Sequence, residues 1–149
     1  MKPIITWILV VDGAHARFLE HAGPGKGLRE MPELEISVAR LKGADIVSDK
    51  PGRTATSSGS RRNAMQPTTN PVEKREADFV HDVANILENQ FRDHAFQRLI
   101  VAAAPRALGE MRKSLSSAVA GAVSAELAKD LVNIPIGDLE AHLKGVLAV

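Results

Sequence analysis

The first hydrophobic signal is an unbroken apolar run at 6–11, TWILVV, followed at once by Asp12-Gly13. Apolar residues without alternation predict a strand buried on both faces. Asp-Gly between two strand-like runs predicts a tight hairpin of type I′, whose central residues need positive φ. The returning run, AHARFLEH at 14–21, alternates, with Ala14, Ala16 and Phe18 on one face and His15, Arg17 and Leu19 on the other. GPGKG at 23–27 reads as a second turn. LREMPELEISV at 28–38 reads as a third strand, with Pro32 placing it at an edge or a bulge.

The period then changes from two to 3.6. Val80, Val83, Ala84, Leu87 and Phe91 recur at helical spacing, widened by Phe79 and Ile86, and predict a long helix. Its wet side holds Asp78, His81, Asp82, Asn85, Glu88, Asn89 and Arg92. Asn70 suits the N-cap, Pro71 the first helical position, and Glu73 completes a capping-box-like start. RLIVAAA at 98–104 is a second buried-strand run, so strand, helix and strand predict a crossover with 6–11 and 98–104 parallel in one sheet. Pro105 opens another helix, carrying Leu108, Met111, Leu115 and Val119 and stopping at Gly121. Residues 122–132 follow as a last strand, and Ile136, Leu139, Leu143 and Val146 mark one face of a short final helix. The fold class implied is α/β, a single domain over 1–149 with a mixed sheet whose parallel central strands are covered by helices.

Between the third strand and the long helix neither period holds. Residues 48–71, SDKPGRTATSSGSRRNAMQPTTNP, include only Ala55, Ala64 and Met65 as apolar side chains, and the polar, basic loop runs over about 43–70. The usual connection is about 4–6 residues, and loops this long are functional or disordered. Charge sharpens the picture. Within 40–75, eight basic residues (Arg40, Lys42, Lys50, Arg53, Arg61, Arg62, Lys74, Arg75) stand against three acids (Asp45, Asp49, Glu73), a net of +5, while the rest of the chain is −4. A solvated basic linker and a phosphate-binding segment both fit. In the second case Lys50, Arg53, Arg61 and Arg62 neutralise phosphates through charge rather than base reading. The loop has no aromatic residue to stack on bases, which argues against single-strand recognition.

Composition narrows the classes further. With 149 residues, 44% apolar and 25% charged, the chain is long enough for a real core and is neither collagen-like, coiled coil nor generally disordered. The absence of Cys removes disulfides, thiolate metal sites and a Cys nucleophile. The first apolar run is too short to cross a bilayer and lacks a small-residue cleavage pattern. No membrane association is expected, and the expected location is the cytoplasm.

No cofactor or catalytic signature is present: there is no Walker A loop, no G-x-G-x-x-G after a strand, no G-x-S-x-G elbow and no H-E-x-x-H. GPGKG lacks the Lys-Ser/Thr ending of a phosphate loop. His15, His21, His81, His94 and His142 never pair at i, i+4, so no metal site is expected. One junction carries chemistry. AAAPR at 102–106 runs a buried strand into a helix start, and Asp12 ends the neighbouring parallel strand. Arg106 and Asp12 then point to the same carboxyl edge of the sheet, where open α/β folds bind ligands, and a small anionic ligand held by Arg106 is one expectation. The plainer alternative is that Pro105 starts a helix and Asp12 makes a turn.

Four blocks, TWILVVDGAHARFLE, SDKPGR, LIVAAAPRALGEMRKSL and ELAKDLVNIPIGDLEAHL, cover nearly the whole chain in this order. Together they resemble the bacterial host-attachment proteins, the family described as required for attachment to host cells. SDKPGR and the APRxLGxMR pattern are the most specific parts, and His15 departs from the Arg found in many relatives. That family is similar to the central domain of archaeal and eukaryotic peptide-chain release factors, an α/β domain whose catalytic Gly-Gly-Gln sits on a mobile loop. The resemblance implies a role at the ribosome. Here the long loop has Gly52, Gly59 and Gln66 but no Gly-Gly-Gln, so peptidyl-tRNA hydrolysis is not implied. Three functions follow as expectations: a non-catalytic module that binds the ribosome or structured RNA through the basic loop; an enzyme or binder for a small anion near Asp12 and Arg106; or a protein-interaction module, with a homo-oligomer as one form.

Overall fold

In a computed structural model, residues 4–37 and 71–147 are described. β1 (Thr6–Val11) has all six residues buried. Its alternate side chains enter two different cores, Trp7, Leu9 and Val11 the first, Ile8 and Val10 the second. That is why the run needs no polar positions. β2 (His15–His21) returns antiparallel, with Val11 opposite Ala16 and Thr6 opposite His21. Ala16 and Phe18 join the first core and Leu19 the second, as their alternation predicts.

β5 (Arg98–Ala103) lies parallel to β1, Leu9 opposite Val101, and β6 (Val123–Leu127) lies parallel to β5. On the other side of β2 are β3 (Arg29–Glu30) and β4 (Ile36–Ser37). The sheet order is β3-β2-β1-β5-β6, with β4 also on β2. Three helices cover one face. α1 (Pro71–Arg92) adds Phe79, Val80, Val83, Ala84 and Leu87, α2 (Pro105–Ser114) adds Leu108 and Met111, and α3 (Ser117–Ala122) adds Val119. The other face receives Leu131 and Val132, then Leu139 and Leu143 from α4 (Ile136–Leu143). The result is an α/β fold with a mixed sheet between helical layers.

Several elements differ from their sequence-based expectations. The third strand is not continuous over 28–38: Pro32 starts a 3-10 turn, Pro32–Leu34, which leaves two-residue strands on either side. The Asp12-Gly13 hairpin forms without the positive φ of a type I′ turn, which among the described glycines occurs at Gly23, Gly25 and Gly27 of the second turn. The helix expected over 105–121 is two. Leu115 is extended, and Ser116 caps α3 by accepting a hydrogen bond from the Val119 N–H, so Gly121 lies inside a helix rather than ending one. The strand expected over 122–132 ends at Leu127, and Val146 is 37% exposed rather than packed with Leu139 and Leu143. The expected N-cap, Asn70, lies outside the described residues.

Candidate functional site

The adjacent parallel strands β1 and β5 send the chain in opposite directions from their carboxyl ends. After β1 it turns back into β2; after β5 it enters α2 and crosses towards β6. Such a divergence leaves a crevice, the usual ligand position of open α/β sheets. A cleft of about 400 Å3 lies here, lined by Asp12 and Gly13 after β1, Ala104, Arg106, Ala107 and Glu110 around the start of α2, and Glu73, Glu76, Ala77 and Val80 of α1. Small side chains at 77, 104 and 107 leave the space open. Asp12 and Arg106 thus both line this cleft.

At Asp12 the chemistry of that edge follows the plainer of the two expectations. Asp12 Oδ1 accepts the N–H groups of Ala14 and His15, each at 2.7 Å, so its carboxylate organises the turn. Glu76 is packed against the same turn: a Cβ on Gly13 would fall 2.5 Å from Glu76 Cγ, which is why glycine stands there. Arg106 does not offer a free guanidinium to an anion. It donates to Glu76 Oε1 at 3.0 Å and lies 3.8 Å from Glu73 Oε2. Four carboxylates, Asp12, Glu73, Glu76 and Glu110, thus line the cleft against the Arg106 guanidinium and the Lys113 ammonium, which lies 3.6 Å from Glu110 Oε1. A small anion would meet a surplus of negative charge. The remaining positive feature is α2 itself, whose N-cap Ala104 supplies no side-chain hydrogen bond to the first-turn amides.

Glu73 and Glu76 are the residues that sequence reasoning missed, Glu73 having been read only as part of a helix cap. The available signal was their i, i+3 spacing at the start of a helix, which puts both on one face. Arg17 was placed on a face with Leu19 but not given a role. Its half-buried guanidinium donates to the carbonyls of Val132 (2.9 Å) and Ile134 (2.6 Å) and to Glu30 (2.8 Å), tying the chain after β6 to β2.

Lys50, Arg53, Arg61 and Arg62 lie outside the described residues. The attachment points of their segment are described. Ser37 pairs with His15 at the turn end of β2, and Pro71 opens α1, whose first turns line the cleft. The segment therefore leaves and rejoins the body beside the carboxyl end of β1. Among the described residues no group of three or more His, Cys, Asp or Glu is arranged to hold a metal ion, and no helix is long and apolar enough to cross a membrane.

No curated protein matches the chain. A family model described as "Protein required for attachment to host cells" matches residues 7–143, a span that includes both strands of the crevice, the cleft and the basic segment. The chain belongs to this host-attachment family.

Proposed function

We propose that the chain is a non-catalytic cytoplasmic module that binds the ribosome or structured RNA through its basic segment. The carrying observation is the partition of charge. Residues 38–70 hold six basic and two acidic residues, net +4, whereas the described body holds twelve basic and sixteen acidic, net −4. An acidic body, with an acidic cleft beside the segment's two attachment points, repels a polyanion, so attraction to phosphates rests on the segment. Lys50, Arg53, Arg61 and Arg62 supply that attraction by releasing counterions. The resemblance of the host-attachment family to release-factor central domains, an expectation from sequence, favours the ribosome as the source of that RNA. Capture of partners from lysate with and without nuclease tests the proposal. Ribosomal RNA should be retained without nuclease and lost with it; retention of a protein partner that ignores nuclease would contradict it.

The crevice favours a second reading, a small-ligand site at Asp12 and Arg106. Its surplus of carboxylates selects a ligand bearing a cationic group over the anion expected from sequence. A bound ligand raises the melting temperature according to its concentration over Kd. A polyamine should do so more than inorganic phosphate at equal ionic strength, and the opposite order would sink this reading.

A further inference from the structure

The two edges of the sheet are built differently. At one edge β3 and β4 are two residues each, separated by the turn that Pro32 begins, and offer no continuous ladder to another chain. At the other edge β6 has a strand neighbour on one side only among the described residues, and VSAEL contains neither Pro nor Lys. A groove of about 580 Å3 runs beside it, lined by Leu115, Ala120, Val123 and Ala125 with Arg112 and Glu126. Open among the described residues and next to a partly apolar groove, this edge is a template for the addition of another strand.

Two features oppose such addition. Leu99 faces Val123 but Ile100 faces Ala125, so Ser124 is an extra residue that interrupts the register. The second feature is chemical. Across the helix-covered face, the row Phe18, Leu9, Val101 is apolar through three strands and then ends, at the edge, in Glu126. Arg112 of α2 clamps that carboxylate, donating from Nε at 2.9 and 3.2 Å and from Nη2 at 2.6 Å. The hydrogen bond and the charge of Glu126 raise the pKa of Arg112 above its ordinary value. A strand laid along β6 would strip water from both charges, a cost that their mutual attraction offsets only with near-ideal geometry.

We propose that the Arg112–Glu126 pair guards the β6 edge against pairing with a second copy of this chain. The partner it excludes is a like copy because an antiparallel pairing about Ala125 places the same strand on both sides of a two-fold axis, so one surface meets itself. Each copy then brings its own ion pair to the junction, and both pairs are desolvated at once. Replacing the pair by apolar residues removes that penalty and continues the apolar row to the edge.

Sedimentation of the full chain over a wide concentration range tests this. The parent's mass should stay constant, and that of Arg112→Leu/Glu126→Val should rise towards a dimer. Adding Ala125→Pro, which puts a residue with no N–H at the centre of the pairing, should return the mass to the parent's. A double variant that keeps the parent's mass at every concentration, with Trp7 emission showing an intact core, overturns the proposal. So does association that survives Ala125→Pro, or a parent that already associates and is dissociated by Ala125→Pro. If the double variant fails to fold, Glu126→Gln decides: a smaller concentration-dependent rise supports the guard, and an unchanged mass refutes it.

Discussion

The body and the basic segment solve opposite physical problems. In the body, six consecutive buried residues of β1 link two cores, and its excess of acid over base is concentrated at the carboxyl edge of the parallel strands. The segment at 38–70 has the inverse charge and, from residue 48 on, almost no apolar side chains, yet both of its attachment points sit at that same edge. On the proposed function, stability and polyanion contact are carried by different residues. Substitutions in the body should change folding free energy and leave RNA affinity alone, and substitutions in the segment should do the reverse.

The sharpest way to break that separation is through the core. Leu9→Ala removes a fully buried side chain between β2 and β5 and should cost about 2–5 kcal/mol in urea unfolding followed by Trp7 fluorescence. The folded fraction should still bind RNA like the parent. Arg17→Met should cost about 1–3 kcal/mol, because the carbonyls of Val132 and Ile134 lose a shared charged donor. Thermal melting that shows no loss would mean these carbonyls find water instead.

A third substitution probes the cleft. Gly13→Ala places a methyl group against Glu76 Cγ and should cost up to about 1 kcal/mol, the worth of the exposed Arg106–Glu76 ion pair that Glu76 gives up on moving away. The Gly13→Ala/Glu76→Ala double variant should cost no more than Glu76→Ala alone, and a strictly additive loss would contradict the steric account. Arg106→Ala should cost at most about 1 kcal/mol, because its guanidinium is well exposed and screened. The smallest change in stability, within about 0.5 kcal/mol, is expected for neutralising Lys50, Arg53, Arg61 and Arg62 together.

Much of the fold was legible because its strongest signals are periodic. TWILVV and RLIVAA are strands buried on two faces, and the stripe from Phe79 to Leu87 can only be the inner side of a helix. What was not legible depended on single residues competing with a pattern. Pro32 interrupts a strand-like run, and Ser116 starts a new helix within a helical one. The position of Asp12 and Arg106 at one edge followed from parallel strands. Their chemistry did not, because the partners Glu73 and Glu76 come from a helix start thirty or more residues away, beyond the reach of local spacing. The guard on β6 was hidden for the same reason: Glu126 reads as an ordinary polar position until the register sets it beside Val101.

The central claim, that the basic segment and not the body holds RNA, is tested most directly by the salt dependence of binding. Affinity for a structured ribosomal RNA fragment is measured across a series of salt concentrations, for the parent and for Lys50→Ala/Arg53→Ala/Arg61→Ala/Arg62→Ala. With roughly 0.9 of a counterion released per phosphate neutralised, the variant's log–log slope should be shallower by about three to four units and its affinity much weaker at low salt. Equal affinity and equal slope for the two proteins would contradict the account.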